Sequence, residues 1–326
     1  MGFPEYAAAR EYLGIIGNPI ITYILILSLF LGFISILYLW KQQDKYYDIL
    51  IKCLYIVTGL YVLGFVFLIW FHIQIYNTVL IEYPAFLAQM IPVGESRMVI
   101  PLWIESEKLY FWAMVSMIFA LTVRQRKELT ASLGIILAVF STIVYFFSNP
   151  FKEPLPIVHS EITQWFATLG TGDANIFQVA GTLYGRITYY YNSAYMWTHP
   201  PMLFIAYASL VITAAACVYM LRKREKIYDE IAYSYAKIGY ILLTTGMLIG
   251  YPWAIEAWKD SAWWWDPIIS GSIMMWVLYS AYLHTRIYSG KMWNTTAYLG
   301  IICFASLVFT YLLTYIVPGI HSVVQP

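Results

Sequence analysis

Residues 256–267 concentrate the side chains that this sequence offers for binding chemistry, with four tryptophans and three carboxylates between two long apolar runs. An indole ring has an apolar face and one polar N–H, so tryptophans gather at membrane interfaces and on flat binding surfaces. Two hypotheses follow for this tryptophan segment: a shelf that receives a planar ligand, or an ordinary interfacial belt. The four residues are Trp258, Trp263, Trp264 and Trp265.

The histidines offer metal-binding chemistry, and the sequence has five of them: His72, His159, His199, His284 and His321. His199 precedes two prolines, which predicts that it opens an apolar helix. His321 follows the last apolar run. Because both are predicted at the level of the tryptophan segment, they are candidates for the two axial ligands of a planar porphyrin. The alternative is that each is a hydrogen-bonded helix terminus.

His284 lies about five helical turns after Asp266, which predicts a position near the cytoplasmic end of its helix. Ionisable groups inside a membrane usually face the interior of the helix bundle. Ligation of a second haem and simple termination of the helix beside Arg286 both remain open. His72 is predicted near the outer end of the second span, too distant from His284 to share an iron. His159 is predicted in a loop, and neither His72 nor His159 is assigned a role.

The composition indicates a polytopic membrane protein, because 61% of the 326 residues are hydrophobic, 11% are charged, and the mean hydropathy is +0.65. A net charge of +1 argues against nucleic-acid binding. The three cysteines stand singly in apolar runs, which predicts core positions; they are Cys53, Cys217 and Cys303. Residues 1–17 lack the pattern of a cleaved signal, so we expect the first apolar run to remain as a helix.

The apolar runs predict an all-α, polytopic membrane helix bundle that forms a single domain over residues 1–326. Lysines and arginines fall in alternate connections, which the positive-inside rule assigns to the cytoplasm. Both termini, the tryptophan segment and two longer loop segments, 74–107 and 149–199, are then external to the cell membrane. A span needs about 20 apolar residues, and eight runs qualify: 18–41, 50–73, 108–124, 130–148, 200–221, 236–256, 267–285 and 295–317.

Three short motifs carry a resemblance to a known family. Residues 264–266, Trp-Trp-Asp, resemble the WWD signature of haem-handling membrane proteins of cytochrome c maturation, the CcmC, CcmF and CcsA group. Residues 148–151, Ser-Asn-Pro-Phe, are similar to the SNPF turn of CcmF, and residues 198–207 are similar to its helix start with His-Pro-Pro. The resemblance covers roughly residues 95–321 and is closest to a shortened CcmF that corresponds to its N-terminal half.

The resemblance implies a haem-lyase core that attaches haem to the CxxCH motif of apocytochrome c. It implies haem b at an external WWD platform between two axial histidines, and a second haem b within the membrane. The partners it implies are apocytochrome c and a haem chaperone of the CcmE type. Because the C-terminal half of the family is missing, either a partner chain supplies that half or His284 holds no haem. The residues that it assigns to haem are His199, His321, Trp258, Trp263, Trp264, Trp265, Asp266, Lys259 and His284, the three histidines being iron ligands.

Some features depart from the family or have a second interpretation. Glu105 stands where relatives usually carry lysine, and residues 268–270, Ile-Ile-Ser, replace an acidic residue and an asparagine. Asp266 is also expected to cap the helix that follows it, where a carboxylate accepts free backbone N–H groups. The candidate partners for the haem propionates are Arg97, Lys108, Arg186 and Lys259, of which Lys259 is preferred.

Two other functions stay open at this point. One is delivery of haem to a chaperone without thioether formation, as in CcmC, and His284 with the SNPF and His-Pro-Pro matches argue against it. The other is a non-catalytic electron-transfer or structural membrane subunit, whose tryptophans would be merely interfacial.

Overall fold

The computed structural model of the protein describes residues 3–79, 104–171, 175–191, 195–257, 263–288 and 292–318. Within these ranges the chain is almost entirely helical, which confirms the predicted all-α class. The helices are α1 (Phe3–Lys41), α2 (Asp44–Val79), α3 (Glu107–Thr122), α4 (Lys127–Phe147), α5 (Pro156–Thr171), α6 (Ile176–Tyr191), α7 (Tyr195–Lys223), α8 (Lys226–Ala257), α9 (Pro267–Ile287) and α10 (Trp293–Ile316).

Each of the eight predicted spans corresponds to a helix, but they do not all have the same character. Among the described residues, six helices are long and apolar enough to cross a membrane: α1, α2, α4, α7, α8 and α10. The helix α3 has only 16 residues. The helix α9 has 21 residues, but its buried face includes Ser272, Tyr279 and Tyr282, and these polar groups reduce its hydropathy. The polytopic helical bundle is therefore confirmed.

The predicted loop segment 149–199 is wrong for most of its length, because it contains the two helices α5 and α6. Pro156 occupies the first position of α5, where a proline is well tolerated. Val158, Ile162 and Trp165 then repeat at helical spacing, and all three are buried. Asn149 and Pro150 lie between α4 and α5, and Gly170 lies in the last turn of α5. The first helix also begins at Phe3, well before the predicted residue 18.

The chain groups into two compact units, and unit 1 comprises residues within 1–34, 48–114 and 136–198. Its core is organised around Phe151 of the SNPF turn, which is fully buried. A Cβ atom on Gly17 of α1 would lie 2.0 Å from the Phe151 ring, so this ring occupies a notch that only glycine leaves open. The Tyr110 ring packs edge-on against Phe151 with 5.6 Å between the centroids. The turn is thus locked into unit 1.

Unit 2 comprises residues within 35–47, 115–135 and 199–326. Its helices α8 and α9 are joined by side chains, since the indole N–H of Trp276 donates to the Thr244 hydroxyl over 2.9 Å. The helices α9 and α10 approach closely at Gly271, where a Cβ atom would lie 2.7 Å from the Thr310 hydroxyl oxygen. The cysteines of both units are buried free thiols, as the sequence predicted.

In unit 2, ion pairs join helix ends that lie next to the connections predicted to be cytoplasmic. They are Lys127–Asp44 at 2.6 Å, Lys223–Glu128 at 3.0 Å and Arg286–Asp229 at 2.7 Å. The first pair is largely exposed, whereas the Asp229 side chain is only 3% exposed. The basic residues that predicted the orientation thus also contribute to packing. The orientation and the single-domain assignment stay predictions.

Candidate functional site

His199 lies in the second turn of α7 and does not open it. The helix begins at Tyr195 and continues through Pro200 and Pro201, so the predicted helix start is wrong. Proline has no backbone N–H, and these two residues therefore donate nothing to the preceding turn of the helix. The imidazole of His199 attaches this weakened turn to the neighbouring helix α8.

The His199 ring is oriented by a backbone carbonyl. Its Nδ1 atom lies 2.7 Å from the carbonyl oxygen of Gly246 on α8. A carbonyl oxygen can only accept, so Nδ1 carries the hydrogen, and in the neutral ring Nε2 carries the lone pair. Metal-binding histidines are commonly oriented by such a bond from their other ring nitrogen. The donor chemistry of His199 therefore fits an axial ligand.

Two glycines of α8 make room for this ring. A Cβ atom on Gly250 would lie 2.5 Å from Cε1 and 2.6 Å from Nδ1 of His199. A Cβ atom on Gly246 would lie 2.9 Å from the Leu203 side chain. Gly246 and Gly250 are one turn apart and so lie on one face of α8, where they form a glycine notch for α7. Small residues at this spacing are a known helix-packing signal in membranes, and our sequence analysis missed it.

A buried indole adjoins the glycine notch. Trp253 on α8 is only 7% exposed. Its ring centroid lies 5.5 Å from that of His199, with the two planes tilted by 50°. The His199 ring is therefore half-buried between a bare helix backbone and an aromatic surface.

The WWD motif is held at the start of α9. Trp263–Trp265 form one turn of 3₁₀ helix, and Asp266 follows at the helix N-cap. The Asp266 carboxylate accepts from the backbone N–H groups of Ile268 at 2.9 Å and Ile269 at 3.4 Å. The predicted capping role of Asp266 is confirmed. Asp266 is only 4% exposed, and its cap fixes the start of α9 directly after the three tryptophans.

The three consecutive tryptophans form an exposed surface that we call the indole ledge (Trp263, Trp264 and Trp265). Trp264 is 54% and Trp265 is 77% exposed. Trp263 packs edge-on against Tyr251 of α8 at 5.5 Å. Together with Ile255, the residues Tyr251, Trp263 and Trp264 line a pocket of about 430 Å³. Such an apolar surface suits a flat apolar ligand.

Helix α8 connects these features within unit 2. It supplies the notch residues Gly246 and Gly250, the buried Trp253, and the Tyr251 ring that supports Trp263. One helix therefore positions both the candidate axial ligand and the indole ledge.

Several predicted site residues lie outside the described residues: His321, Trp258, Lys259 and Arg97. Two other candidate propionate partners belong to unit 1. Lys108 is half-buried near the start of α3, and Arg186 lies on α6, where only its backbone is described. Binding of a propionate by any of these four cations stays a prediction.

An ionisable group in a membrane usually faces the interior of the helix bundle. His284 instead lies on the outside of unit 2. Its side chain is exposed, and Nδ1 lies 2.8 Å from the Ser280 carbonyl oxygen of its own helix. The buried face of α9 is formed by other positions, among them Met275, Tyr279 and Tyr282. Among the residues that the structure describes, no group of three or more His, Cys, Asp or Glu side chains could hold a metal ion.

The two histidines without a predicted role are both bonded in unit 1. His72 is fully buried, with Nδ1 2.7 Å from the Tyr191 hydroxyl and Nε2 2.8 Å from a Glu107 carboxylate oxygen. His159 lies on α5, with Nδ1 2.9 Å from the Tyr6 hydroxyl. Partial burial lowers the pKa of His159, and the nearby positive charge of Arg10 lowers this pKa further.

The unusual Glu105 also has a structural explanation. Its carboxylate accepts from the backbone N–H groups of Ile157 at 3.1 Å and Val158 at 3.3 Å, which caps α5. Its backbone is in the left-handed region, with φ of 43°. Lysine has no acceptor atom in its side chain, so a lysine at position 105 could not cap α5 in this way.

The fold and the site define a polytopic helical membrane protein with an oriented histidine and an exposed indole ledge in one unit. Residues 102–321 match the profile of the family described as "Cytochrome C assembly protein", and the chain belongs to this family. The resemblance to the CcmF and CcsA group is thereby confirmed.

Individual relatives agree with this assignment. The "Cytochrome c biogenesis protein CcsA" of Gloeobacter violaceus is 38% identical over 95 residues, covering 29% of this chain and 28% of the relative. The CcsA of Chlamydomonas reinhardtii is 31% identical over 145 residues, covering 40% of this chain and 41% of the relative. A solved structure of "Cytochrome c Heme Lyase CcmF" has the same fold, with a TM-score of 0.63 and 17% identity.

The matched regions are short relative to these proteins. The similarity to CcmF covers 92% of this chain but 47% of the CcmF chain. This chain thus spans less than half the length of the relatives it matches.

Proposed function

We propose that the chain binds haem against the indole ledge and serves as the haem-lyase core that attaches it to CxxCH of apocytochrome c. One observation carries the proposal: His199 is half-buried, with Nδ1 bonded to Gly246, in the same unit as the exposed tryptophans. In a neutral imidazole held this way, Nε2 carries the lone pair and is the atom through which histidine binds iron. The family membership supports haem handling in cytochrome c maturation.

The division of labour follows from the chemistry of thioether formation. Haem and the two thiols of CxxCH are the reactants, and each S–H adds across one vinyl double bond. The sulfur bonds to one vinyl carbon and the hydrogen to the other, so this step needs no added oxidant. The protein's task is then to hold the ring and the peptide in register. We assign ring binding to Trp263, Trp264 and Trp265, and axial ligation to His199 and His321.

The remaining site residues complete this proposal. We assign Trp258 to haem binding, Lys259 to a haem propionate, and Asp266 to positioning the tryptophans through its cap. The reaction is assigned to the external face of the cell membrane, where a haem chaperone of the CcmE type delivers haem. Exchange of a ligand for the histidine of CxxCH requires that haem be bound firmly but reversibly.

We also propose that His284 ligates a second haem b together with a partner chain. The exposed ring of His284 and its bonded Nδ1 atom support this assignment, because a surface imidazole is accessible to another subunit. The coverage of only 47% of CcmF is consistent with a partner that corresponds to its other half.

The proposal is tested by producing the full chain with a CxxCH cytochrome and haem-loading partners in cells that lack their own maturation system. With the wild type, we expect haem to remain bound to the cytochrome after denaturation. With His199→Ala, we expect this covalently bound haem to be absent. The matched control is His159→Ala, which removes a histidine outside the site. Haem on the chaperone alone, with none bound covalently to the cytochrome, would contradict the lyase function and indicate haem delivery.

Haem content separates the two proposed sites. Wild type, purified together with its partner chain, is compared with His199→Ala, His321→Ala and His284→Ala prepared in the same way. We expect the first two variants to lose one haem and the third to lose another. Added imidazole should change the absorption spectrum of the haem at the ledge. A protein that binds no haem would instead be a structural or electron-transfer subunit without this cofactor.

A further inference from the structure

The proposed haem chemistry uses the WWD motif and the His-Pro-Pro helix but not the SNPF turn. It borders a second pocket, of about 620 Å³, which lies entirely within unit 1. Ligand-binding pockets commonly measure about 300–1,000 Å³. The lining includes Asn18, Ser106, Phe147, Asn149, Lys152 and Glu153. The pocket is thus polar and charged, with an aromatic edge.

The pocket lies where the chain leaves the apolar layer of the membrane. Helix α4 is a candidate membrane span that ends at Phe147, and the SNPF turn follows directly. Phe146 is 66% and Phe147 is 83% exposed. Apolar side chains at a span end contact acyl chains, whereas the residues after them meet lipid headgroups. This placement does not depend on which side of the membrane the turn occupies.

The turn holds the pocket in a preformed shape. The Asn149 side-chain oxygen accepts from the backbone N–H groups of Phe151 at 2.9 Å and Lys152 at 3.2 Å. The Ser148 hydroxyl donates to the Ser106 carbonyl oxygen over 2.9 Å. Because the Phe151 ring is fixed in its notch, Lys152 and Glu153 project from an anchored backbone. A preformed site loses less conformational entropy when a ligand binds.

Two residues that are adjacent in the sequence give the pocket one positive and one negative charge. Lys152 and Glu153 are both exposed. The buried Ser106 hydroxyl has no hydrogen-bond partner among the described residues. A zwitterionic headgroup with one phosphate and one primary ammonium complements this set, because Lys152 attracts the phosphate and Glu153 accepts from the ammonium. A purely anionic headgroup would be repelled by Glu153.

We propose that the SNPF turn forms a binding site for an ethanolamine phospholipid. The phosphate binds Lys152, the ammonium binds Glu153, and the acyl chains lie against Phe146 and Phe147. The exposed phenylalanines favour a lipid over a free phosphate compound, which would leave them without a ligand contact. The family motif thereby acquires a role in attaching unit 1 to a particular lipid.

Native mass spectrometry of the full chain in detergent tests this proposal. The protein is titrated with phosphatidylethanolamine, phosphatidylcholine, phosphatidylglycerol and free phosphoethanolamine. We expect the tightest binding for phosphatidylethanolamine, since quaternary choline has no N–H to donate. Glu153→Gln should weaken this binding about tenfold, the effect of losing one charge-assisted hydrogen bond. Its affinity for phosphatidylglycerol should not fall.

Lys152→Gln should weaken binding of all three lipids, because each has the phosphate. The matched control is Lys226→Gln with Glu230→Gln, an exposed ion pair at the start of another candidate span. This control should retain the lipid preference of the wild type. Equal affinity for all lipids, tightest binding of phosphatidylglycerol, or unchanged affinities in the Lys152 and Glu153 variants would overturn the proposal. Binding of free phosphoethanolamine as tight as that of the lipid would do so too.

Discussion

His72 in unit 1 and His199 in unit 2 are held in opposite ways. His72 is fully buried, and both of its ring nitrogens are bonded to side chains, those of Tyr191 and Glu107. His199 is half-buried, and its Nδ1 atom is bonded to the Gly246 backbone. A ring with two side-chain partners crosslinks helices, whereas a ring oriented by a carbonyl is suited to ligate a metal ion through Nε2. Full burial therefore favours a packing role for His72, whereas the carbonyl contact favours His199 as a candidate ligand.

The surroundings of the two histidines differ in the same sense. The network of His72 is closed to solvent, since Glu107 and Tyr191 are each 1% exposed. The unit that holds His199 instead presents Trp264 and Trp265 at its surface. We therefore expect substitutions in the first network to affect stability, and substitutions around His199 and the ledge to affect haem binding.

The largest effect is expected from His72→Ala in unit 1. It leaves the Glu107 carboxylate buried without its partner, which typically costs about 3–5 kcal/mol. The free energy of unfolding is measured by SDS titration in bicelles. The double variant His72→Leu with Glu107→Leu should recover much of the loss, because apolar replacement of a whole buried pair can be neutral. If His72→Ala unfolded at the same SDS concentration as the wild type, His72 would not stabilise unit 1. The proposed difference in role between His72 and His199 would then be contradicted.

A smaller effect, on haem binding, is expected from Gly250→Ala in unit 2. The added Cβ atom would meet the His199 ring at 2.5 Å, so the imidazole must move from its position. Loss of an orienting contact commonly weakens metal binding about 10–100-fold, and titration of the purified protein with haem measures this change.

The control for Gly250→Ala is Gly59→Ala, because a Cβ atom on Gly59 meets nothing within 4 Å. This variant should retain wild-type haem affinity. If Gly250→Ala bound haem as the wild type does, His199 would not be the ligand that the notch positions.

Substitution of the ledge should separate binding from stability. Trp264→Ala with Trp265→Ala removes two exposed indoles, and each change should alter the unfolding free energy by only about 0.5 kcal/mol. Haem content per purified protein should nevertheless fall. Trp40→Ala is the control, because Trp40 is 77% exposed like Trp265. Equal haem content in all these proteins would identify the ledge as an interfacial belt.

The smallest effect is expected from the pH dependence of His159. Its lowered pKa means that the folded state favours the neutral ring. The unfolded chain binds the proton more readily below the ordinary value of about 6.5, so stability is complete above this pH and declines as the pH falls. Acidification to pH about 5.5 should destabilise wild type more than His159→Gln. An identical decline in both proteins would show that His159 does not contribute.

The fold could be predicted from the sequence where one local property decides the structure. Apolar runs near membrane thickness predicted the spans, and the carboxylate of Asp266 before Pro267 predicted the cap of α9. The helices α5 and α6 were missed because short amphipathic helices with Gly, Pro and Asn at their ends resemble loops. The apolar stripe of Val158, Ile162 and Trp165 was the available signal for α5.

The site could be predicted only in its residue types. The tryptophans and His199 were recognised, but the carbonyl that orients the ring lies 47 residues further along the chain. The partners of His72 lie 35 and 119 residues away. Such contacts depend on helix packing, which residue spacing does not encode. The exposed position of His284 could not be predicted, because the hydropathy of α9 does not show which of its faces is buried.

The basic residues at the helix ends of unit 2 act at two different times. In the predicted orientation, the positive charges of Lys127 and Lys223 would keep their helix ends on the cytoplasmic side while the chain inserts. Glu128 and Lys223 are separated by 95 residues, so their 3.0 Å contact can form only after two further hydrophobic segments have emerged. The predicted orientation and the packing of these helix ends would therefore rely on the same positive charges, first during insertion and then in the folded protein.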